Sequence, residues 1–60
     1  MMFKPGDRIV WWNVDQVKGL KKRAGYVEIV CDGYDMYVQL DDEETMRKVW
    51  SGNVVREEDA

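Results

Sequence analysis

Histidine is missing from this 60-residue chain, and cysteine, proline, serine and threonine occur once each. Each scarcity removes a class of chemistry. Without an imidazole the chain lacks the usual general base at neutral pH, and Ser51 and Thr45 leave a short inventory of nucleophiles. Catalysis by the chain acting alone is therefore not expected, and neither is a cofactor. The single cysteine, Cys31, excludes an internal disulfide, and with no histidine there is no Cys/His zinc site. Both common staples of very small domains are absent, and no bound metal is expected. No apolar run approaches 18 residues and no signal peptide is recognisable, so a soluble protein of the reducing cytoplasm is expected, with no membrane partner.

Packing must then supply the stability. A chain of this length forms one domain, residues 1–60, and buries only about 60% of the surface its unfolded form exposes. Three Trp, three Tyr and one Phe are many for 60 residues, and large rings bury area efficiently in a small core. The net charge of −3 conceals a polarity: residues 1–30 hold six basic side chains against three acidic, residues 31–60 three against nine. Lys18, Lys21, Lys22 and Arg23 form the basic focus. Asp41-Asp42-Glu43-Glu44 and Glu57-Glu58-Asp59 form the acidic ones. In a barrel the two halves interleave, so these charges are also placed to pair across strands.

The pattern is of short strands and turns. Lys4-Pro5-Gly6-Asp7-Arg8-Ile9-Val10 redirects the chain through a fixed φ and a glycine free to take positive φ, then enters an apolar strand over residues 7–12. Ile9 and Trp11 take one face of that strand; Arg8, Val10 and Trp12 take the other. Residues 13–20 show no period-2 alternation and carry Asn13, Asp15 and Gly19, which reads as a long loop or an irregular hairpin with Val14, Val17 and Leu20 tucked under the barrel mouth. Residues 24–31 form the strongest strand, with Val27, Ile29 and Cys31 alternating with Tyr26, Glu28 and Val30, and Gly25 marks a close backbone approach. Asp32-Gly33 is a hairpin signal that returns residues 34–40 antiparallel, with Met36, Val38 and Leu40 inward. A charged turn at 41–44 leads to a fourth strand over residues 45–50. Ser51-Gly52-Asn53 reads as one 3-10 turn before a short closing strand at Val54 and Val55, and residues 57–60 as a frayed acidic tail.

Five short strands, a long first loop, two hairpins and a 3-10 turn before the last strand make the plan of an all-β, five-stranded SH3-like small barrel. Through Pro5-Gly6-Asp7-Arg8-Ile9, Gly25-Tyr26-Val27, Tyr37-Val38-Gln39-Leu40 and residues 49–54, the chain resembles the KOW and Tudor-like small barrels over nearly its whole length. That grouping includes RNA-contacting modules, Tudor domains whose aromatic cages hold methylated side chains, subunits of larger enzymes, and small bacterial and phage proteins without assigned roles. The resemblance implies the fold and leaves the activity open. Plasmid-borne dihydrofolate reductase shares this architecture, but its Val-Gln-Ile-Tyr signature is absent; the corresponding strand reads Arg47-Lys48-Val49-Trp50.

Two binding readings compete with a third, oligomeric one. In the first, the chain is a small non-enzymatic module or regulator that engages a protein partner. Trp12, Tyr26, Tyr37 and Trp50 are its apolar anchors, and Asp41, Asp42, Glu43 and Glu44 are a steering rim. Trp11 and Trp12 point to opposite faces, so both cannot fill one interior. An outer patch of Trp12, Tyr26, Tyr34, Tyr37 and Trp50 would need rings converging to about 6 Å from a cation to act as a cage. In the second, Lys18, Lys21, Lys22 and Arg23 contact phosphates of RNA or DNA, against the repulsion of an acidic domain. In the third, copies of the chain assemble around a shared pore or interface and supply what one small core cannot. The spacing at 41–44 does not match a calcium loop. Cys31 fits a small core hydrophobe better than a reactive thiol, since no cationic neighbour in sequence lowers its pKa.

Overall fold

A computed structural model describes residues 3–15 and 19–60. Five antiparallel strands form one sheet: β1 (Arg8–Asp15), β2 (Gly19–Val30), β3 (Asp35–Leu40), β4 (Arg47–Trp50) and β5 (Val54–Arg56). Their spatial order is β4-β3-β2-β1-β5, and among the described residues β4 and β5 are not paired, so the sheet curls without closing. A 3-10 turn at Ser51–Asn53 joins β4 to β5, as the glycine-centred tripeptide predicts, and a second at Glu57–Asp59 follows β5.

The entry turn forms for the reasons visible in sequence. Pro5 and Gly6 (φ 93°) occupy its two central positions, and the Asp7 N–H donates to the Lys4 carbonyl at 3.1 Å, the geometry of a type II turn. The Asp7 carboxylate accepts from the Lys4 N–H at 2.9 Å, while Gly6 N–H and Asp7 carbonyl bond to Val27 at 2.8 and 2.9 Å. The turn is thereby tied to β2. At Gly25 the strands approach so closely that a Cβ would meet the Gln39 carbonyl oxygen and come within 2.8 Å of the Leu40 Cα.

One face of the sheet closes over a core of Ile9, Val27, Met36, Val38, Leu40, Val49 and Val54, with Phe3 and Trp11 packed against it. The inward set assigned to β3 is buried as expected. In β4 it is Val49 that enters the core, while Arg47 lays its guanidinium 5.3 Å from the centre of the Trp11 ring.

Several expectations need correction. Of the two readings of residues 13–20, the described part takes the hairpin and not the long loop: β1 and β2 stay paired through Asn13 with Lys21 and Asp15 with Gly19. Among the described residues, beyond Trp11 on β1 and Ala24 on β2, whose carbonyl still accepts from the Asp41 N–H at 3.0 Å, neither strand has a second neighbour, so this part is a two-stranded ribbon projecting from the sheet. Val17 and Lys18 lie outside the described residues, as do the side chains of Val14 and Leu20.

The alternation through Cys31 also breaks. A bulge between Val27 and Ile29 leaves Glu28 unpaired and puts Ile29 opposite Tyr37 on the outer face. Cys31 then falls in the loop after β2 and is exposed, not a core hydrophobe. That loop turns without the two-residue Asp-Gly geometry, since Gly33 keeps a negative φ. The Asp32 carboxylate instead accepts from the N–H groups of Tyr34 and Asp35 at 2.8 and 3.0 Å, and the Cys31 N–H donates to the Asp35 carbonyl. In the acidic tail, Glu57 opens a 3-10 turn and accepts from Arg8 at 2.9 Å.

Candidate functional site

The acidic turn and the basic residues are largely spent on each other. Arg8 of β1 forks onto Asp41 at 2.9 and 2.7 Å while also reaching Glu57. Arg23 of β2 pairs with Asp42 at 2.8 Å and with Glu43 at 3.3 Å, and Arg47 of β4 pairs with Glu43 at 2.6 Å. Gln39 donates to the Glu43 carbonyl and fixes the turn from inside. These contacts hold the Asp41 and Glu43 carboxyls below their ordinary pKa: Arg8 does so for Asp41, Arg47 chiefly for Glu43, with help from Arg23. The turn at 41–44 is therefore knitted to three strands. Asp42 and Glu44 remain exposed on its rim.

The same pairing divides the basic cluster. The Arg23 side chain is only 14% exposed and its Nε is buried without a hydrogen-bond partner. Lys21 is exposed, and the Lys22 ammonium sits 4.6 Å from the centre of the Trp12 ring. Trp12 is half-buried under that contact, on the opposite face of β1 from Trp11.

The ladder brings three of the four expected aromatic anchors onto one surface. Tyr26 stands opposite Gln39, Ile29 opposite Tyr37, Tyr37 opposite Lys48, and Asp35 opposite Trp50. Side chains at paired positions share a face, so Tyr26, Ile29, Tyr37, Lys48 and Trp50 lie together on the outer side of β2, β3 and β4. Trp50 is 55% exposed and Ile29 46%. The Glu28 carboxylate beside the bulge raises the pKa of the Tyr26 phenol. Lys48 reaches Asp35 at 3.8 Å. The acidic turn borders the Tyr26 end of this face, and Trp50 occupies the other end.

Trp12 belongs to the ribbon and is not part of the patch. Tyr34, 70% exposed, borders instead a cleft of about 300 Å³ with Phe3, Val30 and Met36 at the β2–β3 loop. Ile29 was not singled out by sequence because strict alternation pairs it with Val27. An unpaired Glu between two apolar residues was the one available signal, and it does not distinguish a bulge from a regular strand. No protein-family model matches the chain, and no curated protein or solved structure is significantly similar to it.

Proposed function

We propose that the chain is a non-enzymatic SH3-like barrel of the cytoplasm that docks a protein partner on the outer face of β2, β3 and β4. The strand order β4-β3-β2-β1-β5 and the 3-10 turn before β5 support the barrel reading. One observation carries the docking reading: Trp50 and Ile29, about half exposed, share a continuous outer face with Tyr37 and Tyr26. Exposed aromatic residues flanked by a rim of charge are the composition of a protein interface centre. Exposed Glu44 supplies negative charge at one border, which favours a partner with basic residues beside its apolar contact.

The test is capture from native lysate after nuclease treatment, followed by repetition with the captured protein purified. Trp50→Ala and Ile29→Asp should each weaken that complex at least tenfold, whereas the double variant Lys21→Gln/Lys22→Gln should leave it intact. A complex indifferent to Trp50 and Ile29 removes the reading. The RNA or DNA alternative rests on Lys21 and Lys22 of the projecting ribbon, beside the Trp12 ring. Nucleic acid retained at low salt, lost at high salt and abolished by the lysine variant would put that reading in its place.

A further inference from the structure

The open edge of the sheet carries a partner code that can be read from hydrogen-bond parity. The Ser51 N–H donates to the Tyr34 carbonyl at 2.7 Å, so Ser51 and Tyr34 form a hydrogen-bonded pair of the β3–β4 ladder. Such pairs alternate along an antiparallel ladder, which makes Val49 with Met36 and Arg47 with Val38 the next two. Lys48 and Trp50 therefore turn their backbone N–H and C=O groups away from β3. Among the described residues β4 pairs with no other strand. A four-residue strand thus presents two outward-facing backbone positions to solvent, a template for another strand.

A second copy of the same strand meets this template in few ways. In a two-fold antiparallel pair only registers that place an outward-facing residue opposite another outward-facing residue form hydrogen bonds. Centring the axis on Lys48 sets one ammonium directly against its copy, which is repulsive, and centring it on Trp50 puts Lys48 opposite Gly52 in the 3-10 turn, beyond the end of β4. Centring it on Val49 places Lys48 opposite Trp50 of the second copy and Trp50 opposite the second Lys48. Both become hydrogen-bonded pairs, and each sets a cation beside an exposed indole. The parity also keeps Lys48 and Trp50 of both copies on the outer face, so the two aromatic faces become one surface, and the two Val49 side chains remain on the core side.

We propose that the chain forms a two-fold dimer by pairing β4 with β4 of a second copy, in the register centred on Val49. The dimer does not rest on the docking reading above, because it is detected by mass with no partner present, and either can fail alone.

Sedimentation under reducing conditions across a concentration series tests it first: the expected mass rises to twice 7.1 kDa. Lys48→Pro removes an edge N–H that β3 does not use, and should give a folded monomer. Cross-linking fixes the register. In a Cys31→Ser background, needed because Cys31 is an exposed free thiol, Lys48→Cys protein is mixed with Trp50→Cys protein under mild oxidation. The mixture should form a disulfide heterodimer, since hydrogen-bonded antiparallel pairs hold their Cα atoms about 5.5 Å apart, within disulfide reach. Neither protein alone should cross-link. A 7.1 kDa species at every concentration overturns the proposal, as does self-cross-linking of either cysteine variant alone or a mixture that stays monomeric. If Lys48→Pro does not fold, the cross-linking pattern decides.

Discussion

Gly25 shows how much a single hydrogen atom can hold in a domain this small. The atoms that a methyl group would strike, the Gln39 carbonyl oxygen and the Leu40 Cα, belong to backbone and cannot rotate aside. Gly25→Ala should cost about 2–3 kcal/mol. That is most of the roughly 3–5 kcal/mol one core of this size supplies, so urea titration should find the variant close to unfolded. Ile9, fully buried, allows a gentler measurement: Ile9→Val should lower stability by about 1 kcal/mol with the fold intact. The carboxylates set the acid limit. Asp32, Asp41 and Glu43 all have depressed folded-state pKa values, through backbone N–H groups for Asp32 and through arginines for the other two. A depressed pKa contributes stability that is present above the unfolded value and is lost as pH falls through the folded one. The urea midpoint should accordingly stay level near neutrality and drop as pH falls below about 4. Arg8→Gln should flatten that drop, because Arg8 is the partner of Asp41. A midpoint that rises on acidification would contradict this sign.

At the scale of elements, what was legible in the sequence was whatever a buried face imposes. Met36, Val38 and Leu40 alternate because one side of β3 meets the core, and the entry turn was readable because Pro5 and Gly6 suit only a few backbone geometries. The ribbon was readable only as one of two alternatives, a loop or an irregular hairpin, since its pairing is made by backbone groups common to every sequence. The bulge was not readable either. One extra residue leaves no compositional trace, yet it decided that Ile29 faces outward and Cys31 is exposed. The candidate site inherited both results: Tyr26, Tyr37 and Trp50 were placed on a common face, Trp12 was separated from them, and Ile29 joined. Deleting Glu28 tests this account. Without it Val27 still faces Val38 and Ile29 still faces Tyr37, so the buried set should persist, with a loss of about 1 kcal/mol. The tyrosine titration should move as well, because the Tyr26 phenol loses the carboxylate that raises its pKa. Amide exchange showing a different protected set in β2 would refute the bulge as drawn.

At the scale of the whole molecule, the charges polarised along the chain become neighbours in space. Arg8, Arg23 and Arg47, from three different strands, converge on one turn, and the first two fasten the acidic half to the basic half. Phosphate binding by Arg23 would have to displace Asp42 and Glu43. The chain should therefore bind single-stranded nucleic acid weakly, with a shallow salt dependence set by a few lysines, which a titration at two ionic strengths would measure. A steep slope would show the arginine network opening. The ribbon has a different consequence. Among the described residues its outer part, residues 13–15 and 19–21, pairs only within itself, so no third strand there dictates how long it must be. Its length is free to drift: a pair of residues added or removed at its tip would leave Arg8 opposite Tyr26 and the core untouched. That makes it the natural place to graft an epitope or a reporter peptide.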